Sequence, residues 1–296
     1  MTPARAIGID LGGTAIKYGL TDATGRIWRE DEVPTPATRD GIVAQLADCI
    51  ARARTWADGR VVGVGLGVPG LVDAASGYVW GGAPQLPDWE DVALGEALRG
   101  DLPLHIDNDA NMMGWGEYAH GSGQGLQHVL FLTIGTGIGG AIFLHGDLYR
   151  GHAQAAGELG CLPFSVGDRE GYWEDFASTA ALLRRYCDSG GDDIDARTLV
   201  ARAYAGEALA TQLLHEHTTL LGRGIGGLIN IFNPERVVIG GGISGAGAPY
   251  IDAIDAAARR YALDACQRGV VIAAASLGNR AGFVGAAHVA HRLSGG

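Results

Sequence analysis

Two stretches of this 296-residue chain begin in the same way, and that repetition most constrains its fold. Residues 4–10 (ARAIGID) read as a buried strand and 14–21 (TAIKYGLT) as a second; the turn Asp22-Ala23-Thr24-Gly25 leads to a third near 26–33. Residues 128–134 (HVLFLTI) and 138–145 (IGGAIFLH) again read as strands flanking a glycine turn. Strand–helix units follow each opening. In the first half these are a helix over 39–56, a strand at 61–66, a loop and hairpin over 71–90, a short helix near 91–99, a strand at 103–107 and a helix from about 109. In the second they are helices near 172–187, 195–204 and 206–231, a strand at 236–240, a helix at 249–262, a strand at 269–274 and a last helix at 280–292. Residue-level similarity between the halves is weak, so the duplication is one of architecture. Two α/β domains with a cleft between them are expected, the smaller from 1–115 with 283–296 and the larger from 116–282, the last helix packing back on the first.

Composition narrows the function classes. A hydrophobic fraction of 47% beside 19% charged residues excludes intrinsic disorder. The net charge of −11 argues against nucleic acid or an anionic membrane as partner. No apolar run reaches the ~18 residues of a membrane span, and the opening strand leaves no room for a signal peptide. Cys49, Cys161, Cys187 and Cys266 form no CxxC pair and no disulfide framework, so a reduced, cytoplasmic protein is expected. Glycine, at 49 residues, is more than twice the ~7% norm, without a collagen period or a low-complexity tract. Turns and close backbone approaches must use it.

Three glycine runs carry the chemistry. Asp10-Leu11-Gly12-Gly13-Thr14 offers backbone N–H groups and a hydroxyl to an anion, and Asp10 is placed to hold Mg²⁺ through water; a tight hairpin with an incidental Asp is the competing reading. Gly135-Thr136-Gly137-Ile138-Gly139-Gly140 matches GxGxxG, but the dinucleotide fingerprint needs a helix at the glycines and AIFLHGDL continues as a hairpin strand. Gly240-Gly241-Gly242-Ile243-Ser244-Gly245 lies between a strand and a helix, yet the following strand ends without an acid for a ribose. Such a run equally supports adenosine or phosphate at a helix N-terminus. No GxxxxGK[ST] occurs.

Asp107-Asn108-Asp109-Ala110-Asn111 follows a strand and opens a helix. Capping needs one such residue and four are present; a carboxylate to take a hydroxyl proton beside an amide to fix an alcohol suits phosphoryl transfer. Glu158 stands between two glycines with no helix face to decorate. Lys17 is the only lysine among 22 basic residues. It is either a point charge for a triphosphate or a surface residue of the second strand. The histidines, His215-Glu216-His217 included, lack metal-ligand spacing.

In order along the chain, Asp10–Thr14, Gly67-Val68-Pro69-Gly70, Asn108-Asp109-Ala110-Asn111, Gly135–Gly140, Gly157-Glu158-Leu159-Gly160 and Gly240–Gly242 resemble the ROK family of sugar kinases, over essentially the whole length. The resemblance implies an α/β fold of the actin-like ATPase (ribonuclease H-like) kind, duplicated in two domains around a central cleft. It implies an ATP- and Mg²⁺-dependent hexose kinase acting on the 6-OH of glucose or a related hexose. Asp109 would be the general base. Gly70, Asn108, Glu158, Cys161 and Glu174 would lie with it at the sugar. Asp10, Gly12, Gly13, Thr14, Lys17, Thr136, Gly137, Gly139, Gly241 and Gly242 would hold the nucleotide, and Asp10 the Mg²⁺. A homodimer is implied as well. Repressors of the family carry a DNA-binding segment of some tens of residues before the first strand, and this chain has about four residues there.

One departure alters the expectation. Many members carry a histidine at the position of Cys161 and then CxCGxxGC, which together bind zinc. Here 161–172 reads CLPFSVGDREGY, so four ligands cannot be assembled and no zinc is expected. Packing by Tyr172, Trp173 and Phe176 would then hold the loop that carries Glu158 and Glu174. The family histidine that meets the sugar near C1 and C2 is gone. A β-glucoside, N-acetylmannosamine or N-acetylglucosamine kinase, or a sugar-binding protein without turnover, is the alternative.

Overall fold

In a computed structural model, residues 4–294 are described; residues 1–3 and 295–296, part of the first domain expected above, lie outside them, as does the start of the chain on which the signal-peptide reading rests. By its contacts the chain divides into two compact units, one of Met1–Gln124, Arg150–Ala156 and Asn279–Gly296, the other of Gly125–Tyr149 and Gly157–Gly278.

In unit one, β1 (Arg5–Leu11) is buried along its whole length, as a central strand with apolar neighbours on both faces must be. It pairs antiparallel with β2 (Ala15–Asp22), which pairs antiparallel with β3 (Ile27–Pro34). Helix α1 (Arg39–Thr55) starts where the Thr38 hydroxyl accepts from the Gly41 N–H, and it buries Ile42, Leu46, Cys49 and Ala53 at helical spacing. β4 (Val61–Val68) runs parallel to β1, followed by the small hairpin of β5 (Leu71–Asp73) and β6 (Tyr78–Gly81) and the single turn α2 (Leu94–Ala97). β7 (Leu104–Asn108) adds parallel to β4 and leads directly into α3 (Asp109–His120). The sheet order is β3-β2-β1-β4-β7.

Unit two repeats that order. β8 (Val129–Ile134), β9 (Ile138–Leu144) and β10 (Asp147–Leu148) form the antiparallel part; β13 (Arg236–Gly240) adds parallel to β8 and β14 (Val271–Ala274) parallel to β13, giving β10-β9-β8-β13-β14. Between them lie the hairpin β11 (Pro163–Val166) and β12 (Arg169–Tyr172), then α4 (Trp173–Ala177), α5 (Thr179–Asp188), α6 (Ala196–Tyr204) and α7 (Ala208–Phe232). β13 (Arg236–Gly240), α8 (Ala248–Ala258) and β14 (Val271–Ala274) complete the unit. The last helix, α9 (Ala281–Ser294), belongs to unit one and packs on β1, β4 and α3. Two copies of one five-stranded topology give the duplicated actin-like α/β fold.

Three local expectations are corrected. The helix expected over 172–187 breaks at Ser178, whose backbone is extended and whose hydroxyl accepts from the Ala181 N–H to start α5. The β11–β12 hairpin was not evident in the sequence, having only four residues a side and a largely exposed pattern. Trp173 and Phe176 are buried as expected, but Tyr172 is 53% exposed, and its backbone N–H donates to the Asp175 carboxylate.

Candidate active site

In unit one the parallel strands β1, β4 and β7 end together. Asp10 lies at the end of β1, in register with Lys17 on β2. Its carboxyl is pushed up to about 7, by burial first and then by the Asp109 carboxylate, with Lys17 pulling the other way. Room for it comes from α9: a β-carbon on Gly282 would sit 2.4 Å from the Asp10 carboxyl carbon. The turn beyond closes with the Gly12 N–H donating to the Ala15 carbonyl, and Thr35 ties it down by donating its hydroxyl to the Gly12 carbonyl at 2.7 Å. Gly13 and Thr14 are left exposed at its tip, where their N–H groups suit an anion.

The Asp-Asn-Asp run divides its labour. Asn108 is the N-cap of α3, its side-chain oxygen accepting from Ala110 and Asn111 at 2.9 and 3.2 Å, while its amide donates to the Gly70 carbonyl at 3.0 Å. Gly70 holds a φ of +99°, and a β-carbon there would meet the Gly81 carbonyl at 2.3 Å. Asp107 is buried within the protein's own hydrogen bonds. Asp109 is therefore not needed as the cap. It sits at the first turn of α3, half-buried, and burial raises its carboxyl above the usual range despite bonds from the Ala110 N–H and the Asn108 side chain. A carboxyl raised in this way is a stronger base than an ordinary carboxylate, which favours taking a hydroxyl proton.

In unit two the glycine run joins antiparallel β8 to β9, closed by the Gly135 N–H on the Gly137 carbonyl. Thr136 is exposed at its tip, and Gly139 lies in β9 opposite Thr133. Glu174 is beneath the loop: its carboxylate accepts from the Ile138 N–H at 2.9 Å, and β-carbons at Gly137 and Gly160 would stand 2.5 and 2.9 Å from the same oxygen. Glu158 is exposed just before the turn Leu159–Cys161. Glu174 and Glu158 lie near enough to Cys161 to add to the burial that raises its thiol. Gly241, φ +94°, passes so close to Ile134 that a β-carbon would meet its carbonyl at 2.2 Å; Gly242 has open space beside it.

The buried Asp10 carboxylate, with the Asp109 carboxylate near it and an anion-binding turn beside it, suits Mg²⁺, which takes one or two carboxylates and completes its shell with phosphate oxygens and water. Zinc does not fit the residues around Cys161, and among the described residues no group of three or more His, Cys, Asp or Glu is placed to hold a metal ion. Arg150, which no motif marked, also reaches this part of unit one and contacts Asp107.

The ROK family model matches residues 6–293. The chain is a member of the ROK family. The glucokinase of Streptomyces coelicolor is 34% identical to it over an alignment of 311 positions that takes in 96% of each chain. The β-glucoside kinase of Listeria monocytogenes is 32% identical, covering 94% of this ROK chain and 95% of its own length. Among solved structures, a ROK family glucokinase from Streptomyces griseus in complex with glucose and AMPPNP superposes with a TM-score of 0.86 at 33% identity, over 97% of this chain and 99% of that one.

Proposed function

We propose that this ROK protein is an ATP-dependent kinase that transfers the γ-phosphoryl group to a hydroxyl of a hexose, the 6-OH of glucose or a close relative. The observation that carries the reading is the carboxyl of Asp109, raised by burial and standing at the head of α3 while Asn108 and Asp107 meet the structural needs of that helix end. Asp109 accepts the proton of the attacking hydroxyl as the oxygen–phosphorus bond forms. The exposed turn at Gly12, Gly13 and Thr14, with Lys17 behind it, and the run at Thr136, Gly137 and Gly139 donate N–H and hydroxyl groups to the phosphates, while Gly241 and Gly242 let the backbone approach the adenosine. Asp10 would hold Mg²⁺, which when bound neutralises charge on the phosphates. Gly70, Asn108, Glu158 and Cys161 are assigned to the sugar on the family resemblance. Glu174, by its bond to Ile138, orders the phosphate run. The two units are taken as the two domains of the kinase, which we expect to act as a cytoplasmic homodimer.

Cys161 favours a second reading of substrate. It stands where many members of the family carry a histidine, and a β-glucoside kinase is similar to this chain throughout its length. A substituent at C1 or C2 would then be accepted. Sugar phosphate formation measured over glucose, mannose, fructose, N-acetylhexosamines and β-glucosides, with ATP and with polyphosphate as donor, separates the readings. No sugar phosphate from any sugar of the set with either donor would overturn the kinase assignment.

A further inference from the structure

We propose that Arg150, acting through Asp107, is a positioning residue for Asp109; the inference rests on the kinase reading above. Nη1 of Arg150 lies 2.6 Å from Oδ2 of Asp107. The two groups pair by charge, and among the described residues neither atom has a hydrogen-bond partner. Each charge is therefore compensated chiefly by the other. The Asp107 side chain is 3% exposed and that of Arg150 30%.

The other oxygen of Asp107 organises the head of α3. It accepts from the Asn108 backbone N–H at 2.7 Å and from the Asn111 side-chain amide at 3.0 Å. Asn108 then caps the helix through the Ala110 and Asn111 N–H groups and reaches back to Gly70. An unbroken line of polar contacts thus runs from the guanidinium to the turn that carries Asp109. Arg150 itself belongs to the segment 150–156 of unit one, which closes on itself through the Ala156 N–H on the Arg150 carbonyl, with Gly151 at φ +68°. Arg150 is thus anchored at its backbone as well as at its charge.

Without the cation, Asp107 is a buried carboxylate with no countercharge in contact, a costly state relieved by turning the group toward water. That movement disturbs the bonds to Asn108 and Asn111 and lets the first turn of α3 shift. A displacement of about 1 Å at a catalytic group is enough to lower turnover on the order of a hundredfold.

The test uses Arg150→Met, Arg150→Lys and the double variant Asp107→Asn with Arg150→Met in the full chain. Amide hydrogen exchange reads the helix end directly. Arg150→Met is expected to speed exchange at Ala110 and Asn111 by about tenfold or more while amides in α7 are unchanged. With a sugar the wild type phosphorylates, kcat is expected to fall about tenfold or more while KM for ATP stays within about twofold. Arg150→Lys, which keeps the charge, recovers most of that loss, and the double variant melts above Arg150→Met because the amide needs no countercharge. Unchanged exchange at 110–111, or loss of protection spread evenly over both units, overturns the proposal. If Arg150→Met does not fold, Arg150→Gln, which also removes the charge, is compared with wild type in the same way, and unchanged exchange at 110–111 in that variant overturns the proposal. Should the wild type phosphorylate no sugar, the kinase reading falls, and the exchange data alone decide whether Arg150 orders the head of α3.

Discussion

Gly285 of α9 rests against the backbone of α3 at Met112: a β-carbon at position 285 would stand 1.8 Å from the Met112 carbonyl oxygen. The contact is mutual, since a β-carbon on Gly116 of α3 would meet the Ala281 carbonyl at 2.3 Å. The same helix lies on the sheet at backbone distance, with Gly8 of β1 under Phe283 and Gly65 of β4 under Ala286, each leaving 1.8 Å for a β-carbon that is not there. Part of the glycine excess is thereby explained, because α9 is held between strands and α3 where no side chain fits. As α3 begins with Asp109 and α9 passes Asp10 at Gly282, the packing also sets the two carboxylates.

Gly285→Ala is expected to destabilise the protein, because the blocking atom is backbone and cannot rotate away. Overpacking of this kind costs about 1–3 kcal/mol. Thermal unfolding should show a lower Tm, and Gly227→Ala, where a β-carbon meets open space on α7, should not lower it. Equal Tm values for the two variants would contradict the packing argument.

Asp109→Asn is expected to fold and to lose turnover by about 10²–10⁴-fold, the range for removal of a general base. The sign of the stability effect can be fixed as well. The folded carboxyl is raised above its unfolded value, so the wild type loses stability as pH rises through that range, and the amide does not. The Tm of Asp109→Asn at pH 8 should therefore equal or exceed that of the wild type.

Glu174→Gln keeps an acceptor for the Ile138 N–H, whereas Glu174→Ala leaves that N–H without its present partner. The alanine variant should raise KM for ATP by about tenfold, on the scale of a lost charged hydrogen bond, and leave KM for the sugar within about twofold. The reverse pattern would return Glu174 to the sugar.

His217 is fully buried in α7 with its Nε2 2.9 Å from the Tyr250 hydroxyl. Burial, and secondarily Arg185, depress it to about 3. Its folded value lies below the ordinary one of about 6.5, so the unfolded chain binds the proton first. Stability present above about pH 6.5 is then lost as the pH falls toward 3. His217→Gln, which cannot titrate, should show a shallower fall in Tm between pH 7 and pH 5 than the wild type.

Much of the fold was legible because it rests on short-range pattern. The strands 4–10 and 128–134 are apolar runs that only a central position satisfies, and each proved to be the strand around which its sheet is ordered. The helix break at Ser178 was not legible, since a serine among helix formers reads as a tolerated residue until its hydroxyl is seen to cap the next segment. In the candidate site, Asp107 to Asn111 stood out as a group, but the division of roles did not. Two asparagines and two aspartates are chemically able to cap, pair or accept a proton, and their surroundings alone tell them apart.

By itself the sequence determined the two repeated openings, the glycine turns and the missing zinc ligands at 161–172, all of which depend on residues near each other in the chain. Only the tertiary structure decided which carboxylate is buried against which charge. Asp107 and Arg150 lie far apart in sequence, as do Glu174 and Ile138, and Asp10 and Gly282. Electrostatic and packing energies depend on distance through space, and spacing along the chain does not encode it for such pairs.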